Sequence, residues 1–298
     1  MEEIIILSGK GGTGKTSIAA SLAMIAGKEV VVADCDVDAA NMHLLLEPDF
    51  HYSEDFYSGI LAEIDQLKCD QCGICHDVCR FDAIPFIDGK YVIDTLYCEG
   101  CGYCGRVCPQ DAISLNERLA GKVHHSQIRS GTQMVHAKLG VGAENSGKLV
   151  AKVKDDARKI AKGLGKDIIL VDGSPGIGCP VVSSLSGASL ALMITEPSMS
   201  ALHDMKRLYK MLSHFQIPAL CVINKSDLSK DIVNEIHIWL KENNIKCISE
   251  IPFDESFVHA MIQKKTLIEY QEKYHTAFTV MWNELLDFLK NNKKNIYL

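Results

Sequence analysis

Residues 9–16, GKGGTGKT, combine glycines with two lysines and two threonines near the start of the chain. The segment fits the pattern G-x-x-x-x-G-K-[ST], in which backbone N–H groups surround phosphate oxygens at the beginning of a helix. In this pattern Lys15 would reach the β- and γ-phosphates of a nucleotide, and Thr16 would hold Mg²⁺. The residues expected to contact the nucleotide here are Gly9, Lys10, Gly11, Gly12, Thr13, Gly14, Lys15, Thr16 and Ser17.

Eight of the twelve cysteines form a second group of side chains that could do chemistry. They make two copies of C-x2-C-x2-C-x3-C, a spacing typical of ferredoxins with two clusters, in which the fourth cysteine of each run ligates the other cluster. Zinc is the alternative, because C-x2-C pairs also suit it, but two complete four-cysteine runs favour iron–sulfur clusters. We therefore expect one [4Fe–4S] cluster on Cys69, Cys72, Cys75 and Cys108, and another on Cys98, Cys101, Cys104 and Cys79.

Short, wholly apolar runs mark the elements that must position the phosphate loop. Runs of this kind are typical of strands buried on both faces of a parallel sheet. Segments with apolar residues at three- and four-residue spacing lie between them and predict helices. These are KTSIAASLAMIA, ended by Gly27, and later residues 198–214 and 228–243. The alternation predicts a doubly wound α/β fold with a mostly parallel sheet and a ligand at the carboxyl ends of the strands. The predicted strands cover residues 4–7, 30–33, 168–171, 190–194 and 219–223.

The alternation stops between residues 66 and 116, where the sequence repeats itself as CDQCGICHDVCRFDAI and CEGCGYCGRVCPQDAI. Two copies of one short unit predict a small inserted domain. We therefore expect residues 1–65 and 117–298 to form a P-loop domain. Residues 66–116 would form a ferredoxin-like domain inserted between its two parts.

The second lysine of the phosphate loop, Lys10, carries a resemblance to a known family. With it, the loop resembles the deviant phosphate loop, KGGxGKT, of the MinD/ParA-type ATPases, a class that includes the nitrogenase iron protein. VVADCDVDAAN (residues 31–41) is similar to the switch I segment of that family, and ILVDGSPGIGCP (residues 169–180) is similar to its switch II. The resemblance covers nearly the whole chain and implies a MinD-like P-loop ATPase that carries an inserted ferredoxin domain.

The resemblance also assigns roles to residues of this chain. It implies that Lys10 reaches across a dimer to the nucleotide of the other subunit, and that Asp36 orients the attacking water. Asp172 would lie near Mg²⁺, and Pro175 and Gly176 would sense the γ-phosphate. A strand-end helix cap is the alternative role for the two aspartates. We therefore expect the catalytic residues Lys10, Lys15, Asp36 and Asp172, and the Mg²⁺ residues Thr16, Asp36 and Asp172.

The segment NKSD, residues 224–227, follows a predicted strand and bears on the choice of nucleotide. It resembles the guanine-reading motif N-K-x-D of GTPases, whereas the MinD-type family has an asparagine here that contacts adenine. The deviant phosphate loop is the longer match and favours ATP over GTP. With either nucleotide we expect Asn224 to contact the base, with Lys225 beside it.

The composition excludes several classes of function. A formal charge of −7 argues against nucleic acid as the main partner, because phosphate backbones bind basic surfaces. No apolar run approaches the roughly 20 residues that span a bilayer, and the acidic start enters a strand directly, so we expect a cytoplasmic protein.

The segment AFTVMWNELLDFLK, residues 277–290, has apolar residues on one helical face. MinD itself uses a terminal amphipathic helix to bind membrane. Here Glu284 and Asp287 make the middle of the helix acidic, which favours packing on the sheet over membrane binding.

The combination predicts a dimerising protein that binds ATP or ADP with Mg²⁺ and couples nucleotide turnover to electron transfer through two [4Fe–4S] clusters. One alternative is an ATP-dependent carrier or assembly factor for iron–sulfur clusters or another metal. A second is a MinD-like regulatory or positioning ATPase whose clusters sense redox state. The expected partners are a second copy or a similar chain, and a redox or metalloprotein.

Overall fold

The computed structural model describes residues 1–143 and 146–296, with side chains described up to residue 292. The chain divides into two compact units. The first, here called the sheet unit, comprises Met1–Ser53, Val123–Lys138 and the chain from Ser146 onward. The second, here called the cysteine unit, comprises Glu54–Lys122 and a short segment that begins at Leu139.

The core of the sheet unit is formed by seven strands, and five of them follow the predicted α/β alternation. These five contain the segments predicted from apolar runs, and nearly all of their residues are buried. All six described pairings among the seven strands are parallel, as predicted. The strands are β1 (Glu2–Leu7), β2 (Val30–Asp34), β7 (Gln133–Leu139), β8 (Ile168–Asp172), β9 (Leu190–Thr195), β10 (Ala219–Asn224) and β11 (Lys246–Ile251).

The strand order explains where a ligand can bind. The strands lie in the order β11-β10-β9-β1-β8-β2-β7, so β1 lies between β8 and β9. Open sheets of this type bind ligands beyond the carboxyl ends of the strands, where the chain leaves toward opposite sides. The phosphate loop begins at that end of β1.

The helices of the sheet unit agree with the predicted periodicity. α1 begins at Lys15 and ends at Ala26, before Gly27, whose φ is 56°. Ser198 caps α7 by accepting a hydrogen bond from Ala201 N at 3.2 Å. The helices are α1 (Lys15–Ala26), α2 (Met42–Leu46), α5 (Ser146–Gly163), α6 (Cys179–Leu185), α7 (Met199–His214), α8 (Lys230–Glu242), α9 (Ser256–Ile262), α10 (Leu267–Tyr270) and α11 (Lys273–Ile296).

The last helix, α11, packs in the core, as the acidic pattern of residues 277–290 predicted. Its apolar face joins Ile18 and Leu22 of α1 in one buried cluster. The side chains that α11 contributes include Phe278, Met281, Trp282, Leu285 and Leu289. Within the described residues, no helix is both long and apolar enough to cross a membrane.

The cysteine unit contains short helices and a hairpin, and two long strands carry the chain into and out of it. The internal repeat of the sequence is visible in the backbone, because each copy has a left-handed glycine directly before its helix: Gly73, with φ 80°, and Gly102, with φ 73°. The elements are β3 (Tyr52–Ile64), α3 (Ile74–Asp77), β4 (Phe86–Ile87), β5 (Lys90–Tyr91), α4 (Tyr103–Val107) and β6 (Ile113–Gln127). Of the longer strands, β3, β6, β7 and β11 are not among the predicted ones, because polar residues interrupt them.

Candidate functional site

Two positions of the phosphate loop have room for glycine only. Gly14 has a φ of 87°, and a Cβ on it would lie 2.4 Å from Asn224 Nδ2. A Cβ on Gly9 would lie 2.6 Å from the backbone of Asp204 on α7. The two glycines therefore let the loop pass close to β10 and α7.

Lys15 stands at the centre of a buried charge cluster. Its Nζ donates to Asp172 Oδ1 at 2.6 Å and lies 3.6 Å from Asp36 Oδ2. Lys15 is 5% exposed, Asp36 is 7% exposed and Asp172 is fully buried. The predicted residues Lys15, Asp36 and Asp172 thus come together, although they come from three separate segments of the chain.

A third carboxylate, Asp34, belongs to the same cluster and was not predicted. It is the last residue of β2, pairs in register with Asp172 on β8, and accepts a hydrogen bond from Asp36 N at 3.1 Å. Burial, with the nearby charge of Asp172, raises the pKa of Asp34 to about 8. The repeated acid in the motif DCD was the available signal, because alternate residues at a strand end point to the same side.

The pKa values of the other two partners are also shifted. Burial raises the pKa of Asp172, although the charge of Lys15 and hydrogen bonds from Lys15 and Thr16 act in the opposite direction. Burial acts to lower the pKa of Lys15, but the charges of Asp172 and Asp36 outweigh it and raise the pKa. Lys15 therefore stays positively charged.

The donor set suits a hard divalent cation such as Mg²⁺. Asp172 and Asp36 lie beside the ammonium group of Lys15, and Asp34 adds a third pair of carboxyl oxygens, so the site offers the oxygen ligands that Mg²⁺ prefers. Within the described residues, Asp34 Oδ2 and Thr13 Oγ1 are buried without a hydrogen-bond partner. Such groups are costly unless a ligand or water satisfies them, which fits a site shaped for a bound ion and phosphate.

Backbone bonds tie the two predicted switch segments together. Cys35 N donates to Asp172 O at 2.8 Å, and Ser174 Oγ donates to Cys35 O at 2.7 Å. Gly176 N donates to Ser8 O at 2.9 Å, which places switch II beside the phosphate loop. Pro175 lines the same cleft as the loop. A movement of one switch segment would therefore strain or break hydrogen bonds to the other.

Lys10 is held within its own chain. Its Nζ lies 2.7 Å from Glu196 Oε1 and donates to Ser198 Oγ and Ser200 Oγ, each at 3.2 Å. Burial acts to raise the pKa of Glu196, but bonds from Lys10 and Lys225 outweigh it and lower the pKa. Lys10 is therefore bound to side chains of its own subunit. The contact across a dimer that the sequence predicts requires Lys10 to break these interactions.

Asn224 and Lys225 support the loop from β10. Asn224 Nδ2 donates to Thr13 O at 2.8 Å, and Lys225 Nζ donates to Gly12 O at 3.0 Å. Both side chains line the cleft, and their contact with a base stays a prediction. An apolar wall that sequence reasoning missed faces the same cleft and suits a flat heterocycle; it comprises Phe253, Phe257, Val258 and Met261.

The eight motif cysteines line two separate cavities in the cysteine unit. One cavity is lined by Cys69, Cys72, Cys75 and Cys108, and the other by Cys79, Cys98, Cys101 and Cys104. Each cavity thus combines three cysteines of one copy with the fourth cysteine of the other. Four thiols facing one small cavity are a donor set that fits a cubane cluster.

The cysteines of each cavity differ in exposure. Burial raises the pKa of the Cys75 and Cys104 thiols, with a smaller effect from the neighbouring cysteines. Cys72 and Cys101 are exposed. Each cavity therefore has a more shielded cysteine, Cys75 or Cys104, and an exposed one.

Residues 4–267 match the family described as the CobQ/CobB/MinD/ParA nucleotide binding domain. The chain belongs to this family. It is a P-loop ATPase of the MinD/ParA type, and the resemblance based on the deviant phosphate loop is confirmed.

The chain is similar to two other proteins and to a solved structure over nearly its whole length. It is 36% identical to an uncharacterized protein, MJ0578, of Methanocaldococcus jannaschii over 96% of this chain and 97% of that protein. A second uncharacterized protein of the same organism, MJ0579, is 26% identical over 91% of this chain and 94% of its own length. The structure of the septum site-determining protein MinD from Pyrococcus horikoshii, complexed with Mg-ADP, shares the fold, with a TM-score of 0.55 and 18% identity, over 95% of each chain.

Proposed function

We propose that this MinD/ParA-type protein binds and hydrolyses ATP as a dimer, and couples that cycle to electron transfer through two [4Fe–4S] clusters. The observation that carries the proposal is the pair of four-cysteine cavities in a chain that also holds the Lys15–Asp172 cluster. Neither feature alone implies coupling between a nucleotide and an electron carrier.

The nucleotide part of the proposal rests on the charge cluster. The ammonium group of Lys15 is paired with Asp172 at 2.6 Å and with Asp36 at 3.6 Å. A bound phosphate would compete for Lys15 and so release carboxylate oxygens for Mg²⁺. Thr16 and Asp172 would then hold the ion, and Asp36 would orient the attacking water.

The dimer part rests on Lys10. Release of Lys10 from Glu196 would free its ammonium group to reach the nucleotide of the partner subunit. The partner is a second copy of this chain or a similar chain. One organism carries two relatives that each match more than nine-tenths of this chain. A dimer of two identical chains and a dimer of two similar chains are therefore both part of the proposal.

The cysteines would hold the clusters in the crossed arrangement of the two cavities. When bound, such clusters supply one-electron transfer at low potential. The buried Cys75 and the half-buried Cys104 would shield one cluster each, and the exposed Cys72 and Cys101 would lie nearest an external acceptor.

The order of segments along the chain suggests how coupling could arise. Asp36 precedes the cysteine unit, and Asp172 follows it. The two predicted switch segments, which contain Asp36 and Asp172, therefore flank the cysteine unit in sequence. Coupling itself requires a difference in nucleotide affinity between the oxidised and reduced protein, since equal affinity for both would couple nothing.

The test is a measurement of the cluster midpoint potentials under anaerobic conditions, without nucleotide, with Mg·ADP and with Mg·ATP. A shift of about 59 mV for a one-electron couple corresponds to about 1.4 kcal/mol of coupling. We expect a shift of at least this size in the wild type and none in Lys15→Ala, which keeps all eight cysteines. Equal potentials in the three states would refute the coupling while leaving ATP binding and cluster binding intact.

The exposure of Cys72 and Cys101 favours one second candidate, an ATP-dependent carrier of iron–sulfur clusters or another metal. A carrier must release its cargo, whereas an electron carrier must retain its clusters. Incubation of the loaded protein with an iron chelator, with and without Mg·ATP, separates the two. Loss of iron that depends on ATP would support the carrier, and retention would support electron transfer.

A further inference from the structure

Three side chains of metal-ligand type meet at the outer edge of the sheet unit, away from the predicted chemistry. His237 lies on α8, and Cys247 and Glu250 lie on β11. One ligand atom from each lies within 4.8 Å of the others. His237 Nε2 is 2.7 Å from Glu250 Oε1.

A β-bulge places Cys247 and Glu250 on the same side of β11. In a regular strand, residues three positions apart point to opposite faces. Here the pairing shifts from Cys221–Cys247 to Val222–Ser249, so Ile248 is an extra residue in β11. The bulge reverses the alternation beyond it, and bulges commonly serve to redirect a side chain. It brings a thiol and a carboxylate together beneath His237.

We propose that His237, Cys247 and Glu250 form a binding site for a divalent transition-metal ion of the Zn²⁺ class. Imidazole, thiol and carboxylate are the ligand types that Zn²⁺ uses, and three protein ligands leave a position for water or another ligand. The mixed N, S and O set is unsuited to Mg²⁺ or Ca²⁺, which prefer oxygen alone.

The surroundings of the site favour a cation. The side chains of His237 and Glu250 are 40% and 45% exposed, so an ion can enter from solvent, whereas Cys247 is mostly shielded. The adjacent Lys246 pairs with Glu284 Oε2, 2.5 Å away, so its positive charge is compensated there. The site would join α8 to β11, the strand that precedes Phe253 in the wall of the nucleotide cleft.

Anaerobic titration of the full chain with Co²⁺ tests the site, because thiolate–Co²⁺ bonds give a charge-transfer absorption that reports sulfur ligation. The motif cysteines also bind Co²⁺, so the decisive quantity is a difference between matched variants. Cys247→Ser removes the proposed thiol, and Cys179→Ser removes an exposed cysteine outside the site. Urea unfolding of each variant, followed by the fluorescence of Trp239 and Trp282, checks that the variant keeps its fold.

We expect Cys247→Ser to bind one Co²⁺ fewer than the wild type and to lose part of the charge-transfer band, with Cys179→Ser unchanged. His237→Gln and Glu250→Gln each remove a proposed ligand and should weaken the affinity for that ion by more than about tenfold, since loss of an outer-shell partner alone costs that much. Equal stoichiometry and equal spectra in wild type and Cys247→Ser would overturn the site. Unchanged affinity in both glutamine variants would overturn it as well.

Discussion

Substitution of Asp34 by Asn probes the charge cluster in the nucleotide-free protein. Asp34 is 1% exposed, and its Oδ2 atom is without a hydrogen-bond partner among the described residues. Burial and the charge of Asp172 raise its pKa to about 8, so the folded protein keeps Asp34 largely protonated at neutral pH. Asn has nearly the same shape as the protonated acid and does not ionise.

The sign of the effect follows from proton linkage. The pKa of Asp34 is raised from an ordinary value of 3.8, so its contribution to stability is fully present below that value and is lost as the pH rises toward about 8. While the folded state holds one proton that the unfolded state has released, the free energy of unfolding falls by about 1.4 kcal/mol per pH unit. Between about pH 6.5 and about pH 7.5 we expect the wild type to lose about 1 kcal/mol through Asp34, and Asp34→Asn to lose none of it.

Urea unfolding followed by tryptophan fluorescence is the appropriate assay. The two tryptophans, Trp239 and Trp282, lie in the sheet unit, so the signal reports the unit that contains Asp34. The lower pH limit matters because burial lowers the pKa of His136 to about 3, which makes stability rise with pH up to about pH 6.5. Above that limit the two effects separate.

Asp167→Asn is the matched control, because Asp167 is an exposed aspartate of the same unit. It should unfold with the pH dependence of the wild type. Parallel pH profiles for wild type and Asp34→Asn would refute the reasoning, since they would mean that Asp34 is ionised in the folded protein.

Three other predictions concern the dimer, the clusters and the core. Lys10→Ala should keep its affinity for Mg·ATP in equilibrium titration but release phosphate more than about 100-fold more slowly, because a charge supplied across a dimer acts on the transition state; unchanged turnover would contradict it. Cys108→Ser should retain about half of the iron of the reconstituted wild type and lose the electron paramagnetic resonance signal of one cluster, since Cys108 belongs to one cavity only; a full iron content would contradict a ligand role for Cys108. Phe278→Ala should cost about 3–5 kcal/mol in urea unfolding, because Phe278 is fully buried between α11 and the core; a cost below about 1 kcal/mol would exclude that packing as a main source of stability.

Local sequence determined the parts of this protein that depend on contiguous residues. The phosphate loop could be predicted because the glycines and Lys15 act within one turn between a strand and a helix. The buried strands could be predicted because apolar runs leave few other structures open to them. The pairing of Cys108 with the first copy of the repeat followed from the ferredoxin spacing, and the cavities contain those sets.

Other features depend on which strands become neighbours, and the sequence did not reveal them. Asp34 joins Asp172 because β2 and β8 are adjacent and in register. Asn224 reaches Thr13 because the end of β10 lies close to the left-handed Gly14. The apolar wall with Phe253 lies in a loop without a strong periodic signal, and one extra residue in β11 turns Cys247 toward Glu250. Each of these depends on strand register and on distances between remote segments, which tertiary packing decides because local propensity carries no information about them.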